Sequence, residues 1–371
     1  MILNSKAFTE ACQSILFAID NKNASLFTET LELVADGDVL NMNVTNREYY
    51  VSIAFNLEES VKFKAAVNAK LFLSLISKIT SDTIELTAED NFIKIKGNGD
   101  YKLPMIYNNG ELMSLPTIDI QNVTNEMSID SKILLSILTY NSKELQRGIA
   151  AKPVQSYYYV DENGAITFTS GACVNTFSLE KPIKMLLSDK VVKLFKLFKD
   201  SGSVNFTMGQ DLVAEDVIQT KVRFSTDGVV LTAKLSDSSL VSSVPVEAIR
   251  GMATKDYSYS VVLHKNELLQ TLGRLKLFND GTKNYGKFEF TKDYVTISDW
   301  SSDNRETINY ANECPTLAEG YTALLNTDNL SLIISGCEED YVTICFGDGK
   351  AFSCKQTNIV DIIPELVQKD N

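Results

Sequence analysis

Histidine is almost missing from this 371-residue chain, and His264 is the only one. A zinc site of the usual kind draws several His or Cys ligands at short spacing. The cysteines here (Cys12, Cys173, Cys314, Cys337, Cys345 and Cys354) are scattered, without a C-x-x-C pair. In a chain of this size they read as small core hydrophobes rather than a disulfide framework. Serine–histidine or cysteine–histidine catalysis would rest on His264 alone, at a strand-to-helix junction with no acid motif beside it. G-x-x-x-x-G-K-[ST] and a strand-linked G-x-G-x-x-G are both absent, which removes the usual phosphate cradles. No apolar run approaches the ~18–20 residues of a spanning helix, and the opening MILNSKAFTEAC lacks a basic-then-apolar leader. The expectation is a cytoplasmic protein that is not an enzyme, uses no metal or cofactor and does not enter a membrane. The Asn-x-Thr matches at Asn43, Asn122 and Asn205 are then chance.

What is present is a repeat. A strand, an amphipathic helix and three strands recur about six times, most clearly in 61–105 with KFKAAV, the helix AKLFLSLISKI, then TIELTA, FIKIK and DYKLPM. Helices are expected over 5–19, 69–79, 130–147, 188–199, 264–279 and 326–335. Alternating side chains in FIKIK and VTICF fit half-buried strands. Stretches 108–125 and 236–255 read as linkers, the first Pro-containing and the second Ser-rich. The fold class is α+β. Three domains, 1–120, 121–250 and 251–371, would each hold a pair of β-α-β-β-β units, with antiparallel outer sheets and two helices on one face.

The helices carry the chemical signal. In 188–199, Val191, Leu194, Phe195 and Phe198 fall on one stripe, while Lys190, Lys193, Lys196 and Lys199 take the remaining arc. In 69–79 the stripe is Leu71, Phe72, Leu75, Ile76 and Ile79, with Lys70 and Lys78 opposite. The expected helices hold 13 Lys or Arg against 6 Asp or Glu, a sum of +7 in a protein of net charge −13, so the remainder stands at −20. Lysine is a good helix former, which accounts for part of this contrast; one basic face for a polyanion within an acidic exterior accounts for the whole. Of those 13 cations only Arg147 and Arg274 are arginines. Lysine is a flexible point charge, whereas arginine's planar fork reads guanine edges. Lysine-rich helices suit phosphate contacts that carry no sequence information and exchange readily. The candidate DNA-facing residues are Lys22, Lys70, Lys78, Lys132, Lys143, Arg147, Lys190, Lys193, Lys196, Lys199, Lys265, Arg274 and Lys276.

Three passages resemble the bacterial-type DNA sliding clamps, the beta subunits of DNA polymerase III. They are KAAVNAKLFLSLISKITSDTIELTAEDNFIKIKGNGDYKLP, VRFSTDGVVLTAKLSDSSLVSSVP, and SYSVVLHKNELLQTLGRLKLF taken with the closing NIVDIIPEL. The resemblance covers essentially the whole chain through the order, spacing and length of these parts. It implies a head-to-tail homodimer closing a six-domain ring around double-stranded DNA, a processivity factor that tethers the replicative polymerase by topology. It places the dimer contact at Tyr101 and Leu103 facing Leu277 and Phe278. It also implies a pocket for short hydrophobic peptides of the polymerase and clamp loader, at Val154, Thr169, Gly171, Val174, Pro245, Ile363, Pro364 and Leu366.

The chain departs from the family where TSGACV stands in place of a segment with a His-Arg pair, and where Glu365 and QKDN extend the end. The helix TDNLSLIIS contributes no lysine. Such drift would suit a viral or mobile-element clamp. The alternative reading is a clamp-fold interaction module that does not encircle DNA.

Overall fold

Most repeats turn from strand to helix on a short polar side chain. Asn4 accepts from the Ala7 amide (3.0 Å), Asn68 from Leu71 (2.9 Å) and Asn326 from Asn329 (2.9 Å), and Asp130 accepts from Lys132 (2.8 Å). Each satisfies an amide that the first helical turn would leave without a partner. The helices begin where the repeat places them, at Ser5–Leu16, Ala69–Ile76, Ser131–Ser136, Asp189–Lys193, Lys265–Leu275 and Thr327–Ser335. Three of them change pitch, Lys265–Leu275 running into a 3-10 turn at Lys276–Phe278. Leu194–Phe198 continues its helix as a 3-10 turn, and Ile137–Asn141 forms a π turn before Ser142–Arg147. The π turn directs the fully buried Asn141 amide at the sheet, where its Nδ2 donates to the carbonyls of Ala165 and Cys173, both 3.3 Å away.

The structure, a computed structural model, describes residues 1–19, 25–215, 217–279 and 284–366. The chain forms two compact units, Met1–Leu135 with Lys190–Asp237, and Ser136–Asp189 with the chain from Ser238 onward. Each joins an outer third of the sequence to part of the middle third through a continuous sheet.

In the first unit, a four-stranded antiparallel sheet runs Ile2–Asn4, Thr83–Glu89, Phe92–Lys96, Asp100–Pro104. A six-stranded sheet runs Thr30–Thr45, Tyr49–Asn68, Val229–Lys234, Val217–Ser225, Ser203–Ala214, Val123–Asp130. The segments LELV and VLNMNV are one bent strand rather than two, as are YYVSIAF and KFKAAV. The bend is a bulge in which 57–60 loop out beside Gly37, whose φ of +125° only glycine adopts readily. Phe8 packs edge-on against Phe55 and Phe72, and Phe195 against Phe224, so helices are fastened to sheets by aromatic contacts. The expected linker over 108–125 is anchored along its length. Met113, Leu115 and Ile118 are buried, and Asp211 accepts from the amides of Gln121 (3.1 Å) and Asn122 (2.9 Å) while pairing with Lys221 (2.8 Å).

In the second unit, an eight-stranded antiparallel sheet runs Lys184–Ser188, Tyr157–Asp161, Gly164–Phe168, Ala172–Thr176, Ile359–Pro364, Ala351–Lys355, Tyr341–Phe346, Tyr259–His264. A four-stranded sheet runs Arg305–Asn309, Tyr294–Ser298, Tyr285–Phe290, Tyr321–Asn326. Phe290, Phe346 and Phe352 stack in the core these sheets share with Lys265–Leu275 and Thr327–Ser335. The expected Ser-rich linker 236–255 is corrected, since it contains the helices Ser238–Val241 and Val246–Ala253.

Candidate nucleic-acid interface and partner groove

The basic candidates divide by what their charges touch. In the first unit, Lys70, Lys78, Lys132 and Lys196 are exposed, and among the described residues none has a carboxylate at ion-pair distance. The Lys196 ammonium lies 5.9 Å from the ring centre of Phe17, a side chain itself 59% exposed. Lys199 is exposed beside the equally exposed Asp200, 3.8 Å away. Lys193 is exposed and Lys190 half-buried. The buried stripe beneath them is the expected Val191, Leu194, Phe195 and Phe198, joined by Val192. In Ala69–Ile76 the stripe is corrected: Leu71 is 53% exposed, and Leu73 takes the buried place. Lys22 lies outside the described residues.

The second unit treats its cations differently. Arg147 is removed from the DNA-facing set, because its side chain is 2% exposed and inserted between Glu144, with which it pairs, and Asp361 at 3.3 Å. Its guanidinium also donates to the Ala172 carbonyl (3.4 Å). A buried guanidinium held by carboxylates has no route to a phosphate. Lys143 is half-buried with its ammonium laid over Gly336, where a Cβ would collide with it. Burial lowers its pKa from the ordinary lysine value, with Asp361 opposing. Lys265 donates to the Cys337 carbonyl at 2.6 Å. Arg274 meets Glu306 through Nε (2.7 Å) and a terminal nitrogen (2.6 Å), and Lys276 meets Asp328 at 2.7 Å.

The residues expected to receive partner peptides all lie in the second unit, where Val154, Val174 and Ile363 among them are buried. Val154, Ala172, Val174, Val244, Ile249, Ala253, Ala351 and Ile362 form one apolar cluster, with Val246, Leu240 and Val241 packed against it. Of the expected residues, Val154 and Val174 are in this cluster. Pro245 is exposed and opens the helix Val246–Ala253. Pro364 is half-buried with its ring against Gly171, and Leu366 is partly exposed. Ile363 is a correction. Successive residues of a strand face opposite sides, so Ile362 joins the groove cluster while Ile363, 1% exposed, belongs to the other core with Phe346 and Phe352.

The loop between the strands Gly164–Phe168 and Ala172–Thr176 is held from below. The fully buried Glu144 carboxylate accepts from the Thr169 amide (2.8 Å), its hydroxyl (2.6 Å) and the Gly171 amide (3.1 Å). Gln155 donates to the Thr169 carbonyl (3.1 Å). Thr169 thus turns its hydroxyl to Glu144. Burial raises the Asp361 carboxyl, while Arg147 and Lys143 act against the rise. Arg250 ties the helix Val246–Ala253 to Asp161 at 2.6 Å, and Lys255 ties its end to Asp348 at 2.7 Å.

Sequence reasoning missed Glu144, Arg147 and Asp361 as a unit, and it missed Ile249 and Ala253. The i,i+3 spacing of Glu144 and Arg147 was the available signal; nothing local points to Asp361.

At the expected dimer contact, Leu277 and Phe278 are 80% and 52% exposed. Tyr101 is half-buried. Leu103 is a correction: at 5% exposed it packs inside its own unit, and its strand can offer only its backbone edge and its other face. Asp100–Pro104 and Arg305–Asn309 each end a four-stranded sheet, with one ladder edge unpaired among the described residues.

No family model matches the chain. A stretch of 143 residues, 37% of this chain and 36% of the relative, is 29% identical to a beta sliding clamp of Mycoplasmopsis pulmonis. Among solved structures, the DNA polymerase III beta chain of Streptococcus pneumoniae matches with a TM-score of 0.79 at 14% identity, over 99% of each chain. The Pseudomonas aeruginosa sliding clamp matches with a TM-score of 0.81 at 13% identity, also over 99% of each. The chain has the three-domain sliding-clamp fold.

Proposed function

We propose that this protein is a DNA sliding clamp. It closes head to tail with a second copy, encircles duplex DNA without reading sequence, and tethers a replicative polymerase. The observation that carries the reading is the likeness to sliding clamps over 99% of the chain, which leaves no region for a different architecture. The exposed lysines on 69–79 and 190–199 support a phosphate surface. The same reading proposes domains at 1–120, 121–250 and 251–371.

The sheets support a closing contact. In each unit a continuous sheet crosses an expected domain boundary, at Tyr49–Asn68 with Val229–Lys234 and at Ala172–Thr176 with Ile359–Pro364. The edges at Asp100–Pro104 and Arg305–Asn309 lack such a continuation. Unpaired edges invite a strand from another chain, and joining them between copies is heterologous, so it closes only as a ring. Leu277 and Phe278 would be covered at that junction. The groove at Val154, Gly171, Val174, Ile362 and Pro364 would take apolar anchors of short polymerase or loader peptides.

The test is retention on a closed circular duplex, followed by linearisation. A ring loaded on the circle stays through a high-salt wash and leaves when the circle is cut. A protein that leaves both forms equally is the non-encircling module.

A further inference from the structure

We infer that, among the basic residues of the repeat helices, phosphate contact is confined to the first unit, through Lys70, Lys78, Lys132 and Lys196, and that Lys143, Arg147, Lys265, Arg274 and Lys276 of the second unit are held by their own unit. The inference rests on the DNA-binding reading above and divides the surface that reading treats as uniform. Helix charge alone does not separate the units, since Lys265–Leu275 and its following turn carry Lys265, Arg274 and Lys276 against Glu267. The surroundings do. Arg274 lies in a two-point pair with Glu306, and Lys276 pairs with Asp328 on the helix that has no lysine. An exposed ion pair is weak and can open, but opening it leaves the carboxylate where the phosphate must come. The local field stays near neutral either way. Lys265 donates to the Cys337 carbonyl, and Lys143 is half-buried with its ammonium 5.4 Å from the ring centre of Tyr140. In the first unit, Lys70 lies on a helix with no acidic residue and Lys78 in the turn that follows it, and among the described residues Lys196 has no carboxylate at ion-pair distance and faces Phe17.

The number of neutralised phosphates is read from the salt dependence of duplex binding, at a slope of about −0.9 per contact. With non-specific duplex as the probe, K70Q/K196Q is expected to flatten the slope by about 2. R274Q/K276Q is expected to leave it unchanged. E306Q/D328N, which frees Arg274 and Lys276 while keeping side-chain shape, is expected to steepen it. The inference is overturned if R274Q/K276Q flattens the slope as much as K70Q/K196Q, if E306Q/D328N leaves it unmoved, or if no variant and no wild type binds duplex at all. Binding slopes are measured at equilibrium, whereas the ring is tested by retention after linearisation. A protein that binds with the expected slopes but is not trapped on circles sinks the ring and leaves the division of charge standing.

Discussion

Arg147 and Lys196 look alike in the sequence, each a cation on an amphipathic helix, yet one is a core residue. Removing Arg147 would leave Glu144 buried without its ion-pair partner and Asp361 with only the weaker influence of Lys143. Arg147→Met is expected to cost about 3–5 kcal/mol, the range for one partner lost from a buried pair, read as a lower urea midpoint. Lys196→Met should leave that midpoint within about 0.5 kcal/mol, as a surface change. Asp348 gives a pH signature. Burial acts to raise its carboxyl, but Lys255 and the amides of Ala351 and Lys350 overcome this and hold it at about 2. A carboxyl depressed in the folded state stabilises above its unfolded value near 4, and that stability disappears as pH falls from about 4 to about 2. Asp348→Asn should therefore lower stability at pH 7 by about 1 kcal/mol after allowance for solvent screening. The gap to wild type should close towards pH 2. Urea melts across that range check it; a gap that stays constant with pH assigns the loss to the turn alone. The pairing of Arg147 with Asp361 and that of Asp348 with Lys255 are not legible from the sequence around them, because each joins residues far apart in the chain.

At the scale of elements, the repeat and the helical period located every helix that the repeat called for, because an amphipathic stripe is a local signal. The helix Val246–Ala253 escaped because it is short, preceded by serines, and stabilised by Ile249 and Ala253 reaching a cluster built from distant strands. Strand ends were equally hard to place: the bulge at Gly37 lets one strand continue where alternation breaks. The junction of Ala172–Thr176 with Ile359–Pro364 depends on Gly171, where an added Cβ would come 2.1 Å from the Ile362 carbonyl oxygen. Gly171→Ala is expected to push these strands apart at a cost of about 1–3 kcal/mol. It should also weaken binding of an apolar Q-x-x-L-F-like peptide, measured by fluorescence anisotropy. Unchanged affinity together with reduced stability would place the groove elsewhere.

At the scale of the molecule, the proposed closure would rest on surfaces that a single chain leaves open. Leu277 and Phe278 are large, apolar and exposed at the end of a helix whose inner face is packed. Leu277→Glu with Phe278→Glu should convert the proposed dimer to a monomer in sedimentation velocity, with a circular dichroism spectrum like that of wild type. A dimer that persists at low concentration moves the interface off this site. The order of strands and helices and the lysine-rich helices were determined along the chain itself, since each depends on periodicity or composition over a few turns. Which cations face solvent, which side of the strand Ile359–Pro364 lines the groove, and where Leu103 points were decided only in the tertiary structure. Burial and ion pairing join residues far apart in sequence: Arg147 to Asp361, and Lys276 to Asp328. A residue's charge is written in the chain, but its availability depends on what folding brings beside it.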